Sequence, residues 1–215
     1  MRKPSRDLIL VVTVVIGLCG GRSVLAGAER ADAFSVIVVV HDRAQVFPGT
    51  LDQALKEAAR IYRQAGVATE WLMDPTRASG VSANTDRPSV QAFTVQLIIQ
   101  PTLRMAGHSP SRFLMGAAPR TTRDCGGTAY LFFDQIAGFS SVRQVDAALA
   151  MGTVIAHEVG HLLLRQHGHS AEGLMRASWD SNDWHRAARG FLLFSSDDAA
   201  TIRATSSSCR QGGPD

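Results

Sequence analysis

The chain has 215 residues, 45% of them hydrophobic and 19% charged, with 19 Gly and 8 Pro. That apolar content supports one well-buried domain and excludes intrinsic disorder, and no collagen, coiled-coil or solenoid repeat is present. The formal charge of +3 sits at the start: Arg2, Lys3, Arg6 and Arg22, against Asp7, all precede Ala28. Loss of that segment brings the chain to neutrality, which argues against a binder of nucleic acid or other polyanions.

Residues 1–28 have the three parts of a secretory signal. A cationic start is followed by an apolar run over residues 8–18 and by Ala26-Gly27-Ala28. The small residues suit a signal peptidase, so cleavage is expected before Glu29. The apolar run is about half of the roughly 20 residues that span a bilayer, so no stable anchor is expected. No later stretch reads as long enough to cross a membrane. Residues 29–215 are expected to form a soluble, monomeric domain that is secreted or periplasmic. Without Cys19, Cys125 and Cys209 remain, either bridged in an oxidising compartment or left as two thiols.

Residues 35–40 (SVIVVV) form a β-branched run that predicts a buried strand. Pro48-Gly49-Thr50 opens a helix with Thr50 as N-cap. Leu51, Leu55, Ala58, Ala59 and Tyr62 recur at helical spacing, and Gly66 ends it. Residues 67–73 (VATEWLM) read as a second strand, and residues 74–88 as a polar loop. Residues 91–100 read as a third strand stopped by Pro101, residues 105–127 as loops, and residues 128–133 (TAYLFF) as a fourth strand. A helical pattern runs from about Val142 to Leu164. The remainder reads as mostly irregular until Ser195-Ser196-Asp197-Asp198 caps a short final helix. Strands, a long helix and then irregular chain define a single α+β domain.

Four of the seven histidines lie between positions 157 and 169. His157-Glu158-Val159-Gly160-His161 contains His-Glu-x-x-His. On a helix, side chains four residues apart project about 40° from one another and one turn apart, so two imidazoles can meet one metal ion. Glu158 projects about 100° from His157, beside such an ion, where it can move a proton. Ala148, Met151, Ile155, Val159 and Leu162 form an apolar face opposite the histidines. Ala150, Val154 and Leu164 line the histidine side, so the helix is expected to be central.

Residues 153–176 resemble the zincin metallopeptidases, most closely the metzincin-like enzymes. In those, the helix breaks at a Gly, a third His follows six residues after the second, and a Met-turn comes next. Here the Gly position is Leu164 and the six-residue position is His167. Leu is not expected to end a helix, and a continuing helix would carry His167 about 240° from His161. His169-Ser170-Ala171-Glu172-Gly173-Leu174-Met175 is similar to the segment that follows the helix in matrixin-type enzymes. It is also similar to small exported bacterial proteins that read HE-x-GHLLL and then HS-x-x-G-[IL]-M. By that match the third ligand is His169, with His167 as the alternative. Met175 is the implied Met-turn residue, a soft floor beneath the metal.

The resemblance implies one zincin-like α+β domain with a small mixed sheet, an active-site helix and a mostly irregular C-terminal part. It also implies an edge strand that pairs with an extended peptide. Residues 128–133 are the candidate, an interior strand being the alternative. The implied function is a secreted zinc-dependent endopeptidase. Zn²⁺ would be held by His157, His161 and His169, and Glu158 would act on the zinc-bound water as general base and then acid. The substrate would be a peptide or protein. Two other classes use the same residues. One is a non-catalytic secreted binding module whose structural zinc clamps the fold, against which Glu158 argues. The other is a zinc hydrolase of cell-wall amide bonds, for which 7% aromatic residues give little sign of a sugar-stacking groove. Tyr62 and Tyr130 are the available phenols for an oxyanion, and neither follows the Met. His185 reads as loop polarity, and His41 and His108 as structural or surface residues.

Overall fold

The computed structural model describes residues 34–74, 92–102, 114–119, 125–165 and 168–211, which lie within the compact unit Ala33–Asp215. The signal-peptide segment, most of the loop at 74–88, His108 and His167 lie outside the described residues. The β-branched run forms β1 (Phe34–Asp42), followed by α1 (Pro48–Gln64) and β2 (Val67–Met73). Next come β3 (Phe93–Gln100), β4 (Gly116–Ala117) and β5 (Gly126–Phe132). Four helices complete the fold: α2 (Phe133–Arg143), α3 (Ala147–Leu164), α4 (Ser181–Ala188) and α5 (Ser196–Gln211). This is an α+β domain with a five-stranded mixed sheet.

The strand order is β2-β1-β3-β5-β4. The first three pairings are parallel and β4 runs antiparallel to β5. Alternation sends Val36, Val38 and Val40 of β1 and Phe93, Val95, Leu97 and Ile99 of β3 into the core. From β5, Ala129 and Leu131 join them, and α3 packs against α1, β5 and α5. Along α3, 83% of the residues are buried. By length and composition α3 is apolar enough to cross a membrane, contrary to the reading of the sequence, and here that apolarity serves the core. The crossing of α1 and α3 is close: a Cβ on Gly152 would lie 2.6 Å from the Ala54 carbonyl oxygen. Tyr62, fully buried, donates its hydroxyl to the Ala156 carbonyl at 2.9 Å.

Several expectations are corrected. Thr50 is not the N-cap: Phe47 occupies that place without a side-chain hydrogen bond. Pro48 starts the helix three residues earlier, because its locked φ suits a first turn whose N–H has no partner in any case. Gly66 does end α1, at φ 79°. The helical pattern from Val142 is broken by Gln144 at φ 56°. Asp146 then caps α3 by accepting from the Leu149 N–H at 2.8 Å. Ahead of that break, α2 was missed because Gly138 and the serines dilute its apolar stripe. The candidate edge strand, residues 128–133, is interior. It lies between β3 and β4, and the edge strand on that side, among the described residues, is the two-residue β4. The C-terminal part is more helical than expected, and the final helix spans 16 residues. A disulfide joins Cys125 to Cys209, with 5.4 Å between Cα atoms, and ties the start of β5 to the end of α5.

Candidate metal centre

The central helix carries the His-Glu-x-x-His residues on its last two turns, and a turn-rich segment brings His169 back towards them. The helix α3 ends at Leu164, where the helical pattern was read to end, although Leu itself was not expected to stop a helix; the stop is made by Arg165, whose φ of 53° is left-handed. Such a residue, more often Gly, turns the chain sharply out of a helix. The sequence lacks that glycine, so the left-handed turn at Arg165 could not be read from it.

One ligand atom from each of His157, His161 and His169 lies within 4.8 Å of the others. The Nε2 atoms of His157 and His161 approach to 3.0 Å. The ring of His169 lies 5.4 Å from that of His157 and 4.9 Å from that of His161, centre to centre. Burial is graded across the cluster, with His157 buried, His161 half-buried and His169 exposed. His157 Nδ1 donates to the Leu174 carbonyl at 2.9 Å. Because a carbonyl only accepts, the proton sits on Nδ1 and Nε2 keeps its lone pair. Burial, as the largest cause, lowers the His157 pKa to about 4, which keeps the imidazole neutral. Three imidazoles with converging nitrogens could therefore hold a metal ion.

Glu158 is buried, and the loss of solvent pushes its carboxyl up to about 8. It lies against the edge strand. A Cβ on Gly116 would fall 2.6 Å from Glu158 Cγ and 2.7 Å from Oε1. Only glycine lets the β4 backbone come so near. The sequence does not reveal this role, since two strand residues inside a Gly-rich loop are too few to show alternation. Gly116→Ala is expected to displace the carboxyl while leaving the histidines in place. For a hydrolase that works through this carboxyl, about a 100-fold loss of turnover with unchanged metal content should follow, because misplacement by about 1 Å has that effect. Parallel rate and metal assays would check it.

Met175 is fully buried. Its Sδ lies 2.9 Å from where a Cβ on Gly160 would be, on the turn between the two helical histidines. The segment from Ser170 to Met175 is closed by Ser170 N–H donating to the Met175 carbonyl at 2.8 Å. It is tied to the next segment by Leu174 N–H donating to the Leu193 carbonyl at 2.7 Å. Gly173, at φ 72°, makes that approach without strain. Ser170 also donates to the Asp198 carboxylate, at 3.0 Å to each oxygen. After the turn, Arg176 pairs with the buried Asp183, whose carboxylate also completes the capping box of α4. Asp183 was given no role from the sequence, while Gly173 was read there only as a motif position and Asp198 only as part of a helix cap.

The remaining candidates stand apart. The Tyr62 hydroxyl is occupied in the core, and Tyr130 is a half-buried residue of β5. His185 is exposed on α4, a helix where irregular chain was expected. His41 spans the sheet, with Nδ1 2.5 Å from Asp74 Oδ2 and Nε2 2.7 Å from Gln96 Oε1. It links residues of β1 and β3 with the one that follows β2.

Fold and site together define an α+β domain with a three-histidine cluster on a central helix and the turn beyond it. No family model matches the chain, and no curated protein does. Among solved structures, one described as a zinc-dependent peptidase from Methanocorpusculum labreanum is similar, with 14% identity and a TM-score of 0.48. The match covers 77% of this chain and 99% of that one.

Proposed function

We propose that this chain is an exported zinc-dependent endopeptidase whose metal is held by His157, His161 and His169. One observation carries the reading: three imidazole nitrogens converge within 4.8 Å, with a buried carboxyl on the same helical turn. The donor set suits zinc, a borderline ion commonly bound by imidazole. When bound, zinc supplies a Lewis acid that polarises the scissile carbonyl and acidifies a water. Glu158 takes a proton as general base and passes it to the leaving amine. The β4 edge, passing over Glu158, offers main-chain groups to an extended peptide. Exposure of His169 favours a catalytic centre over a structural clamp, since catalytic sites keep a side open to substrate and structural ones are closed.

The test is removal and return of the metal. Purified protein is expected to contain about one zinc per chain. Stripping it with a chelator should abolish cleavage of casein or a peptide library, and one equivalent of zinc should restore it. Protein that binds no zinc would overturn the proposal. Zinc-loaded protein that cleaves no peptide would overturn the peptidase activity, leaving a structural zinc in a binding module or a hydrolase of another amide.

A further inference from the structure

The metal-facing ring of His157 is held by a carbonyl with a second donor. The Leu174 oxygen accepts from His157 Nδ1 at 2.9 Å and from Trp179 Nε1 at 3.1 Å. A carbonyl oxygen has two lone pairs, so these two N–H groups can saturate it. The Trp179 ring stands edge-on to that of His157, centres 5.1 Å apart and planes at 84°. Trp179 also packs on Trp184 at 5.3 Å, and Trp184 packs on Phe139 of α2 at 4.9 Å. The indole thus packs on a second aromatic ring and reaches the ligand in two ways, by ring contact and through the shared oxygen.

We propose that Trp179 is a positioning residue for the metal. Its N–H holds the Leu174 carbonyl in line with His157 Nδ1, and thereby fixes the tautomer and tilt of a metal ligand. The inference rests on the zinc site proposed above. Outer partners of this kind tune affinity: losing one typically lowers metal binding 10- to 100-fold. Here the partner acts at one remove, so the lower end of that range applies. The nitrogen and the ring can be separated, because Trp179→Phe removes the N–H and keeps an aromatic plate. Trp184→Phe thins the same aromatic stack without touching the carbonyl.

Zinc affinity would be measured by chelator competition on wild type, Trp179→Phe and Trp184→Phe, together with the melting temperature of each metal-free protein. The expected result is an affinity about 10-fold lower for Trp179→Phe and near wild type for Trp184→Phe, with similar melting temperatures for both variants. Unchanged affinity in Trp179→Phe, or equal losses in both variants, would overturn the proposal. A second measurement needs no variant to fold. In ¹⁵N-labelled wild type, the Trp179 indole N–H should exchange slowly and shift when zinc is added, whereas that of Trp71, bonded to Thr69 on β2, should not shift. An unshifted Trp179 resonance in zinc-loaded protein would also overturn it. Wild type that takes up no zinc would instead overturn the zinc site itself.

Discussion

Glu158→Gln is expected to retain about one zinc per chain and to lose about 10³-fold or more in turnover. Proton transfer by a placed carboxyl contributes roughly 10²- to 10⁴-fold, and Glu158 is the only acid on the two turns that carry the helical histidines. Glutamine keeps the shape beside Gly116, so the substitution removes the proton acceptor without opening a cavity. Rates on a peptide library and zinc content on the same samples would check it. Retained turnover would remove Glu158 from the chemistry. The same variant has a signature in the metal-free protein. Burial raises the carboxyl from 4.5 to about 8, so the folded state binds the proton more tightly than the unfolded chain does. Stability from this group is fully present below about pH 4.5 and is lost as pH rises through about 8. Glutamine, which does not titrate, should remove that slope from a urea titration repeated across the range.

His169→Ala is expected to cost more zinc affinity than the 10- to 100-fold typical of outer partners, since it deletes one of three converging nitrogens. His167→Ala is expected to leave affinity near wild type. His169 directly precedes Ser170, which is anchored to Asp198 and to the Met175 carbonyl, so the backbone presenting its ring is tied on one side. Chelator competition on both variants gives the ranking. The reverse order would transfer the ligand to His167.

Where periodicity was strong, the chain was legible. The β2 strand begins and ends where it was read, at residues 67 and 73, and the apolar faces of α3 predicted a central, buried helix. The spacing of His157 and His161 is itself a helical signal, so their meeting followed from geometry. Conformations that are unusual for their residue were not legible. Arg165 and Gln144 both turn the chain at positive φ where glycine would have been the cue. Position 116 has glycine for a reason that exists only once β4 lies on Glu158. Asp198 bonds Ser170, 28 positions away, and no local pattern marks that pairing; Asp183 pairs with Arg176 seven positions before it, across a turn whose path was not legible. The placement of β5 inside the sheet turned on a two-residue strand, which no window of alternation can detect.

The Cys125–Cys209 bond has a topological consequence. With its ends separated by 84 in sequence, it encloses β5, the central helix, the three candidate ligands His157, His161 and His169, and Met175 within one covalent loop, while β1 to β4 stay outside. Opening the fold therefore yields a lariat rather than a linear polymer. Because the looped chain has fewer conformations to explore, the donors that converge in the native state stay tethered near one another when packing is lost.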